Sequence, residues 1–319
     1  MVNEQTMKVA IAQCAPVFLD REATLAKVVA FVKEAGRAGC ALVCFPEALV
    51  PGYPVWLERT EGARFNDPDQ KRLFARYLDQ GVVPEAGDLR EVQAAAREFE
   101  LSVVLGVMER AQDRGSHSLY CSAVFIGADG ALKSVHRKLM PTYEERLVWA
   151  AGDGAGLVVH PVGPFTVGAL NCWENWMPFA RMALHGQGEN LHVALWPGSE
   201  RNTRDSTPFA AMESRSYVIA ASGLLRDADI PLDIPLREQM VRRPGEVILH
   251  GGSGVASPDG SWLVEPVLGE ERLIFAELDP AKVREERQNF DPSGHYSRPD
   301  VFSLQVSRVR QASVTFNEE

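Results

Sequence analysis

The sequence predicts a single layered α/β domain built on mixed β-sheets. Short β-branched apolar runs alternate with segments of helical periodicity along the 319 residues. Two hairpins interrupt this alternation, and no Pro/Ser-rich linker or change of composition divides the chain. Strands joined through helices pair in parallel, whereas the two strands of a hairpin pair antiparallel. Sheets of mixed direction covered by helices are therefore expected.

The first half of the chain carries five predicted strands and two predicted helices. The strands cover 7–16, 41–49, 101–110, 118–127 and 132–139. Asp20 is expected to be the N-cap of the first helix, because apolar residues recur at helical spacing over 25–35. The same spacing over 89–99 predicts the second helix. Residues 128–130 are predicted to form the turn that joins the last two strands into a hairpin.

The second half of the chain repeats this pattern. Strands are predicted over 165–172, 192–198, 217–225 and 272–279, and helices over 178–187, 207–216 and 280–289. Residues 247–267 are predicted to form a second hairpin with an Asp259-Gly260 turn. Between the strand 217–225 and this hairpin, residues 226–246 are predicted to form a long loop that contains prolines. Loops of this length more often have a role in function or in an interface than none.

Composition and charge exclude several classes of protein. Hydrophobic residues make up 45% and charged residues 24%, which is typical of a globular chain and not of a fibrous or disordered one. Lys and Arg number 33 against 43 Asp and Glu, a formal charge of −10, and no basic run occurs. Because phosphate groups are bound by clustered Lys and Arg, neither a nucleic acid nor an anionic membrane is expected as partner. A signal peptide and a membrane-spanning segment are not predicted either.

Cysteine and histidine usage indicates a reducing cytoplasm and no bound metal. Five scattered cysteines are too few for a disulfide framework. Cys40 and Cys44 lie in an apolar run without a nearby His, and the seven histidines form no cluster with ligand spacing. No nucleotide-binding, zinc-protease or calcium-binding motif is present, so no cofactor is expected.

Three predicted strands end in residues that could perform chemistry. These residues are Glu47, Lys138 and Cys172. Taken singly, each residue is more often structural. Glu47 could pair with an arginine at the rim of the sheet, Lys138 could be a solvated lysine at the end of a hairpin, and Cys172 could fill a small space in the core. Together they could converge at one sheet edge, where a thiol needs a base and a cation. Cys172 lies between a predicted strand and a predicted helix that begins near Pro178, so the amides of Trp173 and Glu174 could point at charge developing on a substrate, and we expect the pKa of the Cys172 thiol to be lowered.

Three separated motifs, in order, resemble those of the nitrilase superfamily. They are FPEALVPGYP (45–54), HRKLMPTYEER (136–146) and NCWEN (171–175), and the blocks GGSGVASPDG (251–260) and GHYSRPDVF (294–302) are similar to later blocks of the true nitrilase branch. The resemblance covers nearly the whole chain. It implies a four-layer αββα sandwich with a catalytic core over about 7–290.

The resemblance also implies a reaction and the residues that perform it. Glu47, Lys138 and Cys172 are the implied catalytic triad, and Glu145, adjacent to the alternative Glu144, is the implied fourth acid. The implied activity is hydrolysis of organic nitriles to carboxylic acid and ammonia through a covalent bond to Cys172, without a cofactor. The alternatives are an amidase or carbamoyl hydrolase, a cyanide-hydrating enzyme, and a catalytically silent scaffold.

Substrate contacts and assembly are less specified by the sequence. An apolar substrate cleft could be lined by Tyr53, Trp173 and Trp196, and Trp56 is a further candidate. For each of these residues, packing in the core is an equal alternative. The resemblance implies a homo-oligomer, a dimer or larger and in some members a spiral, with the C-terminal segment 291–319 in subunit contacts. A small nitrile is the only other expected partner.

Overall fold

The structure, a computed structural model, describes residues 6–314, and predictions about residues 1–5 and 315–319 lie outside this part. The strands are β1 (Met7–Gln13), β2 (Leu42–Cys44), β3 (Ser102–Ala111), β4 (Ser118–Ile126), β5 (Leu132–Arg137), β6 (His160–Val162), β7 (Phe165–Asn171), β8 (Leu191–Trp196), β9 (Tyr217–Ser222), β10 (Leu224–Arg226), β11 (Val247–Ala256), β12 (Trp262–Leu268) and β13 (Arg272–Leu278). The helices are α1 (Arg21–Arg37), α2 (Trp56–Arg59), α3 (Pro68–Asp79), α4 (Arg90–Glu98), α5 (Pro178–His185), α6 (Glu200–Thr203), α7 (Ser206–Ser214), α8 (Arg237–Met240) and α9 (Pro280–Arg287).

These strands form two sheets of mixed direction, which confirms the predicted architecture. The first sheet has the order β13-β1-β2-β3-β4-β5, in which β1, β2 and β3 run parallel and the other pairs antiparallel. The second has the order β10-β11-β9-β8-β7-β6, with β12 also paired to β11 and with β7, β8 and β9 parallel. The parallel pairs are joined by connections that contain helices, because only a longer connection can return the chain in the same direction. The antiparallel pairs β3–β4, β4–β5, β6–β7 and β11–β12 are hairpins.

Alternate side chains of the strands hold four layers together. Ala10 of β1 belongs to the same apolar cluster as Val32 of α1, whereas the next residue, Ile11, belongs to the cluster that contains Val193 of β8. The two faces of the first sheet therefore contact a helical layer and the second sheet. On the outer face of the second sheet, Leu170 packs with Leu184 of α5, and α7 covers β9. The order helix, sheet, sheet, helix is the predicted αββα sandwich.

Helix α3 lies in a stretch where no helix is predicted. Asp67 accepts hydrogen bonds from the backbone of Asp69 and Gln70, and Pro68 occupies the first turn. Only a narrow stripe of the helix is buried, and the surrounding polar residues hide it in the sequence. The Asp67-Pro68 pair is the signal in the sequence that could have indicated the start of this helix. By contrast, the predicted N-cap Asp20 is confirmed, since its carboxylate accepts from the Ala23 amide.

The predicted loop 226–246 is largely irregular but well packed. It contains a 3₁₀ turn at Asp227–Asp229 and the short helix α8. Its residues Ile230, Ile234 and Met240 are buried in the same apolar cluster as Tyr77 of α3. This segment therefore joins the core through its side chains. Among the described residues, no helix combines the length and the apolar character needed to cross a membrane.

Candidate active site

Strand ends bring four of the predicted site residues together in the interior. Lys138 directly follows β5, Cys172 directly follows β7, and Glu47 lies in the turn after β2. Glu145 lies in a 3₁₀ turn, Tyr143–Leu147. Ligand atoms of Glu47, Glu145 and Cys172 all lie within 4.8 Å of one another. All four side chains are at most 3% exposed, so their charges interact with little screening by water.

Unusual backbone conformations occur in each of the segments that carry these residues. Ala48, Tyr143 and Cys172 have φ values of 46°, 44° and 49°, in the left-handed region that L side chains rarely adopt. Such conformations cost on the order of 1–3 kcal/mol each and persist where surrounding contacts enforce them. The strain at Cys172 turns the chain sharply at the end of β7, where a 3₁₀ turn, Cys172–Trp176, begins.

Lys138 is the centre of a buried ion network. Its Nζ lies 2.8 Å from Glu47 Oε1 and 2.7 Å from Glu145 Oε2. Burial would lower the pKa of Lys138, but its electrostatic interactions with Cys172, Glu47 and Glu145 raise it well above its usual value. Lys138 is therefore an ammonium ion in the folded protein.

Glu145 has partners on both carboxylate oxygens. Oε1 accepts from the Tyr53 hydroxyl at 2.8 Å, and Oε2 accepts from the Thr142 amide at 2.6 Å in addition to Lys138. Burial and the charge of Glu145 raise the pKa of Tyr53 well above its usual value, so Tyr53 remains a neutral donor. Because both of its oxygens are engaged, Glu145 is placed to anchor Lys138.

Glu47, in contrast, has one free oxygen. Oε1 accepts from Lys138 and from the thiol of Cys121 at 3.2 Å, whereas Oε2 is buried and has no hydrogen-bond partner. Burial raises the pKa of Glu47, Lys138 lowers it and Glu145 raises it, with a result of about 7. A buried carboxylate with such a pKa and one unoccupied oxygen can exchange protons near neutral pH.

The expected low pKa of the Cys172 thiol is not what the structure shows. Burial, the largest effect, and the charge of Glu47 raise the pKa of Cys172 well above its usual value. Lys138 and a hydrogen bond from the Trp173 amide lower it by less. The prediction was wrong because a turn of helix cannot offset complete desolvation beside a carboxylate. The resting residue is thus a thiol, and its proton must be removed during reaction.

Glu174 is a site residue that the sequence reasoning missed. Its Oε1 accepts from the Leu139 amide at 2.7 Å and its Oε2 from the Asn171 amide at 2.9 Å, and His136 contacts both oxygens. Leu139 follows Lys138 and Asn171 precedes Cys172, so one carboxylate fixes the two strand ends relative to each other. The signal available in the sequence was the Asn171-x-x-Glu174 spacing, which is typical of a capping box.

The aromatic residues predicted near the substrate have different surroundings. Tyr53 contacts the site through its hydroxyl, and Trp196 is buried in the same cluster as Cys172. Trp173 is half exposed and stacks on Trp176 at 5.0 Å between ring centroids. Trp56 belongs to the core, where it packs edge-on against Tyr77. The assignment of Tyr53, Trp173 and Trp196 to substrate binding stays a prediction.

A metal ion would compete with Lys138 for this site. Glu47, Glu145 and Cys172 offer ligand atoms at a suitable separation. The Lys138 ammonium already binds both carboxylates, so a divalent cation would have to displace it and would leave two positive charges side by side. The arrangement favours an acid, a cation and a thiol acting together without a metal.

Comparison with known proteins adds independent evidence on family and fold. The family model for carbon-nitrogen hydrolase matches residues 8–288. A nitrilase from Pseudomonas syringae pv. syringae is 37% identical over 94% of this chain and 90% of its own length. An aliphatic nitrilase from Sinorhizobium fredii is 35% identical over 96% of this chain and 97% of its own length. Among solved structures, an amidase from Nesterenkonia sp. AN1, in complex with acrylamide, superimposes with a TM-score of 0.65 at 17% identity, over 91% of this chain and 97% of that one. This likeness concerns the fold.

Proposed function

The chain belongs to the carbon-nitrogen hydrolase family, and we propose that it is a nitrilase that hydrolyses organic nitriles to carboxylic acids and ammonia. The observation that supports this most is full-length similarity to proteins named nitrilases, at 35–37% identity. The buried group of Glu47, Lys138, Glu145 and Cys172 supplies what this chemistry needs, which is a base, a cation and a nucleophile.

In the first half of the proposed reaction, Cys172 attacks the nitrile. Glu47 Oε2 takes the thiol proton as the sulfur bonds to the nitrile carbon, and the nitrile nitrogen gains that proton to form a thioimidate. Lys138 and the Trp173 amide stabilise the negative charge that develops on the nitrogen, because both are fixed donors in a water-poor site. Glu145 holds Lys138 in place throughout.

In the second half, two water molecules are consumed in sequence. Glu47 removes a proton from the first water as it adds to the thioimidate carbon, and passes this proton to the nitrogen, which becomes an NH₂ group. Glu47 then transfers the proton of the new hydroxyl group to the same nitrogen, so that the C–N bond breaks, the C=O bond forms and ammonia leaves. The product of this step is a thioester with Cys172. The second water, activated in the same way, cleaves the thioester, releases the carboxylic acid and restores the thiol. If the tetrahedral intermediate expels sulfur before ammonia, an amide is released instead.

Product analysis tests this proposal. The purified protein is incubated with aliphatic, aryl and arylaceto nitriles, with the matching amides and with cyanide, and acid, amide and ammonia are quantified. We expect acid and ammonia in equal amounts from at least one nitrile. Turnover of amides alone would assign the protein to amidases, and formamide or formate from cyanide alone to cyanide-hydrating enzymes. No turnover of any compound would favour the silent scaffold.

Nitrile hydrolysis is expected to increase as pH rises through about 7, the pKa of Glu47, because only the carboxylate can accept the thiol proton. In Cys121→Val, Glu47 Oε1 loses the hydrogen-bond donor that stabilises the carboxylate. The apparent pKa on the acid side of the kcat/KM profile should therefore rise by roughly 0.5 to 1. Cys121→Ser keeps a donor and should restore the wild-type profile. The matched control is Cys44→Val, because burial alone raises the pKa of that thiol. A Cys121→Val profile identical to that of the control would contradict this assignment.

We also propose that the chain forms a homo-oligomer, a dimer or larger, through an apolar surface next to the site. Helices α5 and α7 lie side by side, joined by an Arg181–Glu213 ion pair at 2.7 Å. The exposed apolar side chains of this surface are Trp173, Trp176, Met177, Phe179, Phe209 and Met212. Covering such a patch removes apolar area from water, which favours association. The C-terminal segment 291–319, of which 291–314 is described, is a second proposed contact.

The two proposed contacts can be separated by light scattering on the purified protein. Phe179 is 73% exposed and Phe302 is 77% exposed, so a charge at either position costs the folded monomer little. Phe179→Glu is expected to reduce the particle mass if helices α5 and α7 form the interface, and Phe302→Glu if the C-terminal segment does. An unchanged mass in both variants would contradict the proposal. The cytoplasmic location inferred from cysteine usage stays a prediction.

A further inference from the structure

Behind Cys172 lies a buried row of hydrogen-bonded side chains, Asn175, His192 and Glu189, that the proposed reaction does not use. We propose that Asn175 is a positioning residue that holds the backbone of Cys172, and that it is oriented by His192, which carries a proton on both ring nitrogens and is paired with Glu189. The proposal rests on the proposed function only for its kinetic test. Its other evidence is the hydrogen-bond geometry of residues that are all less than 10% exposed.

The orientation of the Asn175 amide follows from its neighbours. The side-chain nitrogen lies 2.8 Å from the carbonyl oxygen of Cys172 and 3.2 Å from that of Leu170. Both carbonyls can only accept, so the NH₂ group must face them and Oδ1 must face the other way. Asn175 therefore ties together the residue at the strained position and the end of β7 that precedes it.

The protonation of His192 follows in the same way. Its Nε2 lies 2.7 Å from Asn175 Oδ1, and its Nδ1 lies 2.7 Å from Glu189 Oε1. An amide oxygen and a carboxylate oxygen are both acceptors, so both ring nitrogens must donate. A neutral imidazole has only one N–H group and would leave one of these short contacts without a hydrogen. The ring is thus an imidazolium ion.

Glu189 supplies the negative charge that a buried imidazolium requires. Burial would raise the pKa of Glu189, but the charge of His192, its hydrogen bond to Oε1 and the contact with His185 at 2.9 Å lower it to about 2. Its approach to the sheet depends on Gly168 of β7, where a Cβ atom would lie 2.1 Å from Glu189 Oε1. The chain has a glycine at the one position of β7 that faces His192 in register.

This chain of contacts explains how the turn at Cys172 is held. The left-handed backbone at Cys172 directs the thiol toward Glu47 and needs a partner for its carbonyl, since the strand ladder ends at Asn171. Asn175 is that partner, and the His192–Glu189 ion pair prevents its amide from rotating. Small displacements of a nucleophile lower the rate strongly, by about 100-fold for 1 Å.

Nuclear magnetic resonance tests the protonation of His192 without any assay of activity. The full chain is labelled with ¹⁵N-histidine, and the signals of His192 are assigned through their loss in His192→Gln. We expect hydrogens on both ring nitrogens at neutral pH, with the ring protons strongly shifted by short hydrogen bonds. One unprotonated ring nitrogen at neutral pH would overturn the assignment.

Kinetics and alkylation test the positioning of Cys172. In Asn175→Ala we expect kcat to fall about 10- to 100-fold with a smaller change in KM, and alkylation of Cys172 by iodoacetamide to slow in parallel. His192→Gln can still donate to Asn175 and should retain more activity than His192→Phe. The matched control is His185→Gln, because His185 lies 2.9 Å from Glu189 but does not contact Asn175. A folded Asn175→Ala protein with unchanged kcat and alkylation would overturn the proposal. Alkylation does not depend on the substrate, so it separates this outcome from failure of the nitrilase assignment.

Discussion

Cys172→Ala is expected to lower nitrile hydrolysis by at least about 10⁴-fold while the protein remains folded. The thiol is the only group in the site whose loss removes the covalent intermediate itself. Glu47 and Lys138 would still polarise a bound nitrile, but direct attack by water would have to replace attack by sulfur. Because the side chain is small and its position is held by backbone contacts, we expect a change in stability of about 1 kcal/mol or less.

The measurement is initial-rate ammonia release, with circular dichroism and urea unfolding to establish the fold. Mass spectrometry of the wild-type protein mixed with a nitrile should also show an adduct on Cys172 that the variant lacks. Cys14→Ala is the matched control, since this thiol is equally buried but packs with Leu25 and Val28 beneath α1. Residual activity of Cys172→Ala close to that of the control would rule out covalent catalysis by this residue.

Lys138→Met is expected to be the most destabilising single change in the site, and also to lower kcat by at least about 10³-fold. Methionine occupies a similar volume but leaves Glu47 and Glu145 without their shared cation. Removing one partner from a buried ion network costs roughly 3–5 kcal/mol, because the remaining charge stays desolvated. The free energy of unfolding, measured in urea, should fall by this amount at pH 8.

The loss of stability in Lys138→Met should depend on pH with a definite sign. Burial already raises the pKa of Glu47 to about 7 in the presence of Lys138, and loss of the cation must raise it further. The folded variant then binds more protons than the unfolded chain between the usual Glu pKa of about 4.3 and the raised pKa of Glu47 in the folded variant. Stability therefore falls as pH rises through this range, so the defect should be smaller at pH 5 than at pH 8.

Lys133→Met provides the control for this second prediction. Lys133 lies on the same strand, β5, and pairs with Asp129 at 2.5 Å, but it is partly exposed. An exposed pair contributes about 0.2–1 kcal/mol, so its loss should be small and nearly independent of pH between 5 and 8. Equal and pH-independent losses in the two variants would show that the network around Lys138 is not charged as described.

Much of the architecture could be predicted because the sequence pattern is local. The apolar runs that become β1, β3, β4 and β7 appear in the sequence within a few residues of their observed bounds. These strands are largely buried on both faces, so most of their residues are apolar, and this leaves a clear signal. Helix α3 was missed because only one narrow stripe of it is buried.

By itself, the sequence predicted a layered α/β domain with mixed sheets in which Glu47, Lys138 and Cys172 follow strand ends, and the resemblance of its motifs to the nitrilase superfamily implied the αββα order. Apolar runs, helical spacing and the order of motifs can be recognised from neighbouring residues, without knowledge of distant contacts. Only the tertiary structure decided the electrostatics. Cys172 is a high-pKa thiol because of burial beside Glu47, opposite to the expectation from its local turn. Contacts such as Cys121 with Glu47, or His192 with Asn175, join residues 74 and 17 positions apart, and no local pattern encodes them.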